Sequence, residues 1–559
     1  NSSYYNPIRR EELVLNRRNT VLSQMAKYDF ITEKQKDSLQ ALKMDINFSP
    51  ESHREGLATY FRMYLQGFMR KWIEKNPKPA LKGESDKYNL YLDGLRIYTT
   101  IDSRMQKNAE DAVAEHMKKL QAEFFHQNTP DRNKTAPFIE EVPGEIDGIM
   151  ERAIKSSHRW HNLKDQGRNE KEIRASFNEP VEMTVFDWNS DTKEKDTVMT
   201  PMDSIRYYKS FLKTAMMSME PQTGHVKAWV GGIDYKHFQY DNVIQGSMQV
   251  GSTFKPFVYA AAIDQLRLSP CDMLPDNLYC IEANKHGNPD PWCPKNSNGE
   301  YSGEMLTLKN ALANSVNSIT AQLIDRVGPK AVVSIAKNLG ITGEIPEVPS
   351  IALGTADLNV YEMVGAYGTF ANQGVYVKPV MVTRIEDKNG TVLYEYVPET
   401  KDVLSKDVSY AMLDLMSGVT QGGSGTRLRT TGAEKYRPEY KEIITGYPYE
   451  FKNPIAGKTG TTQNQSDGWF MGMVPNLVTG VWVGGDDKAV HFRTITYGQG
   501  ASMALPIWGL YMKKNYANKE LGISDGEFEK PENLSINVDC SKTSTEEDNK
   551  IDIEDDLDF

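Results

Sequence analysis

Apolar runs cut by tight turns organise the chain from residue 206 onward. TAMMSMEPQTGHVKAWVGG (Thr214–Gly232) is two such runs around a Pro-Gln-Thr-Gly turn, the signature of a β-hairpin. NPIAGKTGTT, GWFMGMVP and LVTGVWVGGDD, between Asn453 and Asp487, read as three more strands separated by turns. Between these lie GSTFKPFVYAAAIDQL (Gly251–Leu266) and MLTLKNALANSVNSITAQLIDRVG (Met305–Gly328), which read as buried helices. Strands and buried helices in one stretch predict a packed α/β (α+β) domain over 206–525, without internal repeats.

The preceding chain reads differently. Residues 1–90 are helical, as in EELVLNRRNTVLSQM and LATYFRMYLQGFMRKWIEK, and end in the linker NPKPALKGESDKYN (Asn76–Asn89). Residues 91–205 open with a strand-to-helix switch, where Asp102 or Ser103 is placed to cap the helix. They continue as a polar insert with one strand-like patch, VEMTVFDW (Val181–Trp188). Residues 526–559 read as an acidic, disordered tail: the last fifteen carry eight acids and one lysine, hence -7 of the net charge of -11. The remaining body is only mildly acidic, which argues against nucleic-acid binding.

No stretch approaches the roughly 18 apolar residues of a membrane span, and no secretory signal is present. The chain begins at Asn1, so a processed or truncated piece with an anchor removed upstream is the expectation. Cys271, Cys280, Cys293 and Cys540 show no C-x-x-C spacing, which argues against zinc. Cys280 and Cys293 flank a polar loop; a disulfide there would suit an oxidising compartment, and free thiols are the equal alternative. His158 and His161 fit a solvated helix face better than a metal site.

Ser252 and Lys255 sit three apart, so on a helix they share a face and the amine can reach the hydroxyl. Pro256 is tolerated only in a first turn, which puts Ser252 at the helix start, beside unpaired N–H groups. A lysine desolvated there, or crowded by another cation, can serve as general base to the serine. Alone, S-x-x-K is weak, and a snorkelling or hydrogen-bonded lysine is the simpler reading. Two further stretches change this: Ser315 and Asn317 in ANSVNSI, and Lys458, Thr459, Gly460 and Thr461 in AGKTGTT. Together they supply a nucleophile, a base, a proton relay, an amide clamp and a cationic carboxylate anchor. TQGGSGTRL (Thr420–Leu428) lacks phosphate-loop spacing and reads as a turn closing onto the K-T-G strand.

S-x-x-K, S-x-N and K-T-G in this order resemble the penicillin-binding proteins and serine β-lactamases. PQTGHVKAWVGG, ALGTADLNVYEMVGAYGTFANQGVYVKPV and GKTGTTQNQSDGWFMGMVPNLVTGVWVGGDD extend the resemblance to class A, bifunctional penicillin-binding proteins, Bacteroidota-like in STFKPFVY and VEMTVFDW. GLRIYTTIDSRMQKNAEDAV is similar to that family's linker, and YYNPIRREELVLNRRNTVLSQM to the end of its glycosyltransferase domain. The resemblance implies a mostly antiparallel sheet flanked by helices, after a helical linker region. It implies a D,D-transpeptidase acting on peptidoglycan stem peptides, acylated by β-lactams, at the periplasmic face of the inner membrane. No metal or other cofactor is expected. The glutamate-bearing stretch of the glycosyltransferase is not found, so glycan polymerisation is not expected of this chain.

Carried onto these positions, Ser252 attacks the D-alanine carbonyl and Lys255 takes its proton. Ser315 relays a proton to the leaving amine, tuned by Lys458, while Asn317 holds the substrate amide. Thr459 and Thr461 bind the terminal carboxylate with Lys458, and the N–H groups of Ser252 and Thr461 form the oxyanion hole. Gly460 leaves room for a peptide along the strand edge. The competing readings are a D,D-carboxypeptidase or β-lactamase, or a β-lactam-responsive sensor on the same fold.

Overall fold

The computed structural model describes residues 7, 10–44, 46, 56–78, 85–129, 131–139, 141–429 and 440–542. It divides into two compact units, Asn1–Gly56 and Leu57–Phe559. In the first, helices α1 (Glu11–Lys27) and α2 (Glu33–Ala41) are joined by a turn that Thr32 and Gln35 close as a capping box. No helix among the described residues is long and apolar enough to cross a membrane.

The second unit begins with α3 (Thr59–Lys75), followed by strand β1 (Arg96–Thr99) and α4 (Ser103–Gln127). The Asp102 carboxylate accepts from the N–H groups of Arg104 and Met105, so the expected cap forms. The polar insert folds into α5 (Glu145–Ser156), α6 (His158–Asp165), α7 (Glu170–Ser176), the hairpin β2 (Val181–Phe186) and β3 (Glu194–Met199), and α8 (Pro201–Lys209). Thereafter come β4 (Lys213–Met219), β5 (Val226–Val230), α9 (Lys255–Leu266), α10 (Leu308–Ala313) and α11 (Asn317–Val327). The chain continues through α12 (Val360–Ala371), α13 (Lys406–Gln421), β6 (Ala456–Thr461), β7 (Asp467–Val474), β8 (Leu477–Gly484) and α14 (Leu505–Ala517).

The expected sheet forms with five antiparallel strands in the order β6-β7-β8-β4-β5. Strands β4, β7 and β8 are buried along their whole length, because helices cover both faces. Alternate residues serve the two faces. Ala215, Met217, Trp469 and Met471 pack with α9, α12 and α13, while Met216, Phe470 and Val481 pack with α4 and α14.

Two expectations are corrected. Met305–Gly328 is not one helix: it is a short strand, Met305–Thr307, then α10 and α11, broken at Ser315 with φ of 58°. The left-handed conformation ends the i to i+4 ladder there. Residues 526–542, read as part of a disordered tail, carry Phe528, Ile536 and Val538 onto the core, and Cys540 is disulfide-bonded to Cys271. Apolar side chains spaced through a polar stretch supply the anchoring that bulk composition hides. The acidic residues 545–559 lie outside the described residues.

Candidate active site

The Ser252 segment is built by close backbone approaches. Gly251–Phe254 forms a 3-10 turn that runs into α9, with Pro256 in the helix's first turn as expected. Gly251 has φ of +52°, and a Cβ on it would stand 2.9 Å from the Thr461 carbonyl oxygen. Tyr367 Oη donates to Thr253 O at 2.6 Å, and Trp469 Nε1 to Gln249 O at 2.9 Å, pinning the turn from both sides. Every residue of α9 from Lys255 to Ile263 is buried. Each large apolar side chain so buried contributes about 1.5–3 kcal/mol, which offsets the cost of enclosing a lysine among them.

The three motifs meet at Ser315. Lys255 Nζ donates to Ser315 O and to Asn317 Oδ1, both at 2.6 Å. Lys458 Nζ donates to Ser315 Oγ at 3.0 Å and to Thr459 O at 2.9 Å. The left-handed break at Ser315 makes this possible, since it turns carbonyl and hydroxyl toward two different lysines. Both lysines are fully buried. Burial, and then the charge of Lys458, pushes the Lys255 pKa well below that of an ordinary lysine. Burial lowers that of Lys458 to about 7.

Ser252 lines a cleft of about 710 Å³ together with Ser315, Asn317, Thr459 and Thr461. Among the described residues its hydroxyl makes no hydrogen bond to Lys255. The lysine's donors go to the carbonyl-type acceptors instead, the arrangement that a buried ammonium requires. Thr461 pairs with Gly468 across β7, and its neighbour Thr462 donates its N–H to Asp467 O at 3.1 Å. Antiparallel pairs alternate, so the Thr461 N–H points away from β7, toward the open edge of the sheet. Ser252 lies in the first turn, where the N–H has no intrahelical partner. The N–H groups of Ser252 and Thr461 are thus both left without partners inside their own elements.

Gly460 sits at a close approach between β6 and its neighbours. A Cβ on it would meet Thr253 Cγ2 at 2.8 Å, Val250 O at 2.9 Å and Trp469 Cβ at 3.0 Å. The glycine therefore lets β6 pack against the Ser252 turn. Asn317 is engaged at both ends of its amide: Oδ1 accepts from Lys255, and Nδ2 donates to Lys295 O at 2.6 Å.

Three contributors escaped the sequence reading. Asn296 Oδ1 accepts from Asn317 N at 2.9 Å and Ser318 N at 3.2 Å, capping α11 from a distant loop. Its Nδ2 donates to Asp276 Oδ1, which also accepts from Ser318 Oγ. The loop bearing Asn296 is tied at Cys293 by the disulfide to Cys280, which settles the open choice for that pair. Ser424, in the glycine-rich turn, contacts Thr459 Oγ1 at 2.5 Å, while its N–H donates to Ala313 O at 2.9 Å. That turn does close onto the K-T-G strand.

Residues 133–212 match the family profile described as penicillin-binding protein middle domain, and residues 214–487 that of the penicillin binding protein transpeptidase domain. The chain belongs to the class A penicillin-binding protein family. It is 28% identical to penicillin-binding protein 1A of Aquifex aeolicus over 545 residues, 96% of this chain and 66% of that protein. It is 26% identical to penicillin-binding protein 1A of Neisseria lactamica, over 94% of this chain and 64% of that protein. It therefore spans slightly less than two thirds of these relatives. The crystal structure of penicillin-binding protein 1A from Haemophilus influenzae superposes with a TM-score of 0.58 at 23% identity, covering 92% of this chain and 78% of that one. PonA1 of Mycobacterium tuberculosis gives 0.53 at 20% identity, covering 84% and 93%. These two likenesses establish the transpeptidase fold. In it Ser252 and Ser315 line the cleft, while Lys255 and Lys458 lie buried against Ser315.

Proposed function

We propose that this penicillin-binding protein is a serine D,D-transpeptidase that cross-links peptidoglycan stem peptides. The meeting of Lys255, Ser315 and Lys458 beside Ser252 is the observation that carries this reading. Ser252 Oγ attacks the penultimate D-alanine carbonyl carbon as neutral Lys255 takes the hydroxyl proton. The N–H groups of Ser252 and Thr461 hold the oxyanion. The C–N bond then breaks, and the proton that Lys255 accepted passes through Ser315 Oγ, a hydroxyl oriented by the Lys458 ammonium, to the leaving D-alanine nitrogen. The amine of a second stem peptide attacks the ester, loses its proton by the same route reversed, and releases Ser252. Lys458, Thr459 and Thr461 anchor the donor carboxylate, and the donor backbone adds to the open edge of β6. Asn317 would have to exchange its bond to Lys295 O to hold the substrate amide.

Among the described residues lining the cleft, none is Asp or Glu. This favours a long-lived acyl-enzyme over a β-lactamase, which needs a carboxylate to activate the deacylating water. The two disulfides suit the periplasmic side of the envelope, where the substrate lies.

Intact mass and peptide mapping after penicillin treatment test the reading. One persistent adduct on Ser252, absent in Ser252→Ala, is expected. An adduct that clears within seconds would make this a β-lactamase. With a stem-peptide donor, release of D-alanine without any acceptor-dependent product would make it a carboxypeptidase, and no turnover at all would make it a sensor.

A further inference from the structure

Lys213, the first residue of β4, lies outside the Ser252 cleft. It pairs with Gly484 on β8 and is only 5% exposed. Its Nζ sits 3.6 Å from the centroid of the Phe238 ring. A ring face attracts a cation but offers no lone pair, so the three N–H donors stay unsatisfied on that side. Among the described residues no oxygen accepts a hydrogen bond from this ammonium, and no carboxylate stands within ion-pair distance.

The neighbouring charges are committed elsewhere. Asp487 pairs with Lys209 at 2.6 Å, and Asp486 lies 3.7 Å from the same lysine. Glu194 is shared by Lys236 and His237, both at 2.8 Å, and the Tyr208 hydroxyl bonds His237 Nδ1 at 3.1 Å. Asp486 attracts Lys213 and Lys209 repels it, both from beyond contact, while burial is the larger influence and lowers its pKa to about 8. At neutral pH Lys213 is thus still a cation. With no protein oxygen as partner, the ammonium's donors are left to whatever occupies the space that Lys213 lines.

Lys213 faces a cavity of about 490 Å³ between α5, α8 and the start of β4, where the middle segment meets the transpeptidase domain. Ile149, Ile205 and Phe238 give it an apolar wall, Gln239 and Asn242 a polar one, and Arg152 stands at its exposed side. Its lining shares no residue with the Ser252 cleft. The volume suits a small organic molecule. Asp486 and Asp487 also line it and would repel a second negative charge.

We propose that this cavity binds a small monocarboxylate, its carboxylate on the Lys213 ammonium and its apolar body against Phe238 and Ile149. The carboxylate can come from a free organic acid or from the end of a peptide, two sources with one recognition chemistry. The inference stands independently of the transpeptidase reading.

Calorimetric titration of the full chain tests it, with benzoate for the free acid and N-acetyl-L-phenylalanine for the peptide end. Benzamide and inorganic phosphate serve as the neutral and multiply charged controls. Saturable binding of at least one acid is expected, with both controls weaker. Lys213→Met should weaken it at least about tenfold, Lys213→Arg should retain part of it, and Ala153→Trp, which fills the cavity, should abolish it with Lys213 intact. Binding should decline as pH rises above about 8 and the ammonium is lost. Penicillin acylation of Ser252 and the melting temperature, read in parallel, should be retained in all three variants and so report that the fold survives. The proposal is overturned if neither acid binds at about 10 mM, if benzamide binds as well as benzoate, or if a folded Lys213→Met protein binds as tightly as wild type.

Discussion

Lys458→Met is the perturbation that separates the two tasks assigned to this lysine. Lys458 is fully buried, bonded to Ser315 Oγ and Thr459 O, with a pKa near 7. Lys255 is equally buried, and the Lys458 charge adds to the lowering of its pKa. The two need opposite protonation states. Lys255 can accept the Ser252 proton only when neutral, so acylation rises as pH climbs through its depressed pKa. Lys458 anchors a carboxylate only when charged, so in the free enzyme that limb falls as pH climbs through about 7. The second-order acylation constant should therefore pass through a maximum.

Removing the ammonium deletes a charge-assisted hydrogen bond to the carboxylate, worth about 1.5–3 kcal/mol, or roughly 10- to 150-fold in rate. It also removes a cation from beside Lys255, so the base's pKa should rise and the acid limb should shift to higher pH. The falling limb due to Lys458 should vanish. The deficit should thus exceed that range at acid and neutral pH and ease in alkali. Lys458→Arg, which keeps the charge and changes the shape, should lose less. The assay is acylation by a chromogenic penicillin across pH for the three proteins. A Met variant that acylates at the wild-type rate, or with a constant deficit at every pH, would refute the coupling.

The same substitution should raise stability. The folded-state pKa of Lys458 lies below the unfolded value of 10.5, so the unfolded chain binds the extra proton. Wild-type stability should then rise with pH from about 7 toward 10, and Lys458→Met should melt higher near neutrality by relieving a penalty of at most ~5 kcal/mol. Asn296→Ala removes the cap on Asn317 N and Ser318 N and one donor to Asp276, so a loss of about 1–3 kcal/mol in denaturant unfolding is expected. Its acylation profile should also shift along the pH axis, because Asn317 would no longer hold the Lys255 ammonium in place; an unchanged profile would make Asn296 purely structural. Gly460→Ala forces a methyl against Val250 O and Thr253, which should push β6 from the nucleophile turn and cost about 1–3 kcal/mol along with acylation rate. Wild-type melting and acylation would show that β6 can shift freely.

The order of strands and helices from 206 onward, the cap at Asp102 and the start of α9 were legible because each is a local signal. A hairpin is marked by its turn, a cap by one side chain, and a first helical turn by Pro256. The three motifs were equally legible, and with them the family and the positions of Ser252, Lys255, Ser315 and Lys458. Only the tertiary structure decided what those residues touch. The hinge at Ser315 interrupts a run whose apolar period reads as one helix, because a φ of 58° leaves no mark in the spacing. The packing role of Gly460 was invisible because two of the atoms that forbid its Cβ belong to a turn about two hundred residues earlier, at Val250 and Thr253. The cap at Asn296 comes from an irregular loop, where no periodicity links the asparagine to α11. Cys540 meets Cys271 across a sequence separation of 269, which counting cysteines leaves open. Local backbone preference is written in neighbouring residues, whereas contacts between irregular segments exist only once the sheet and its helices have brought them together.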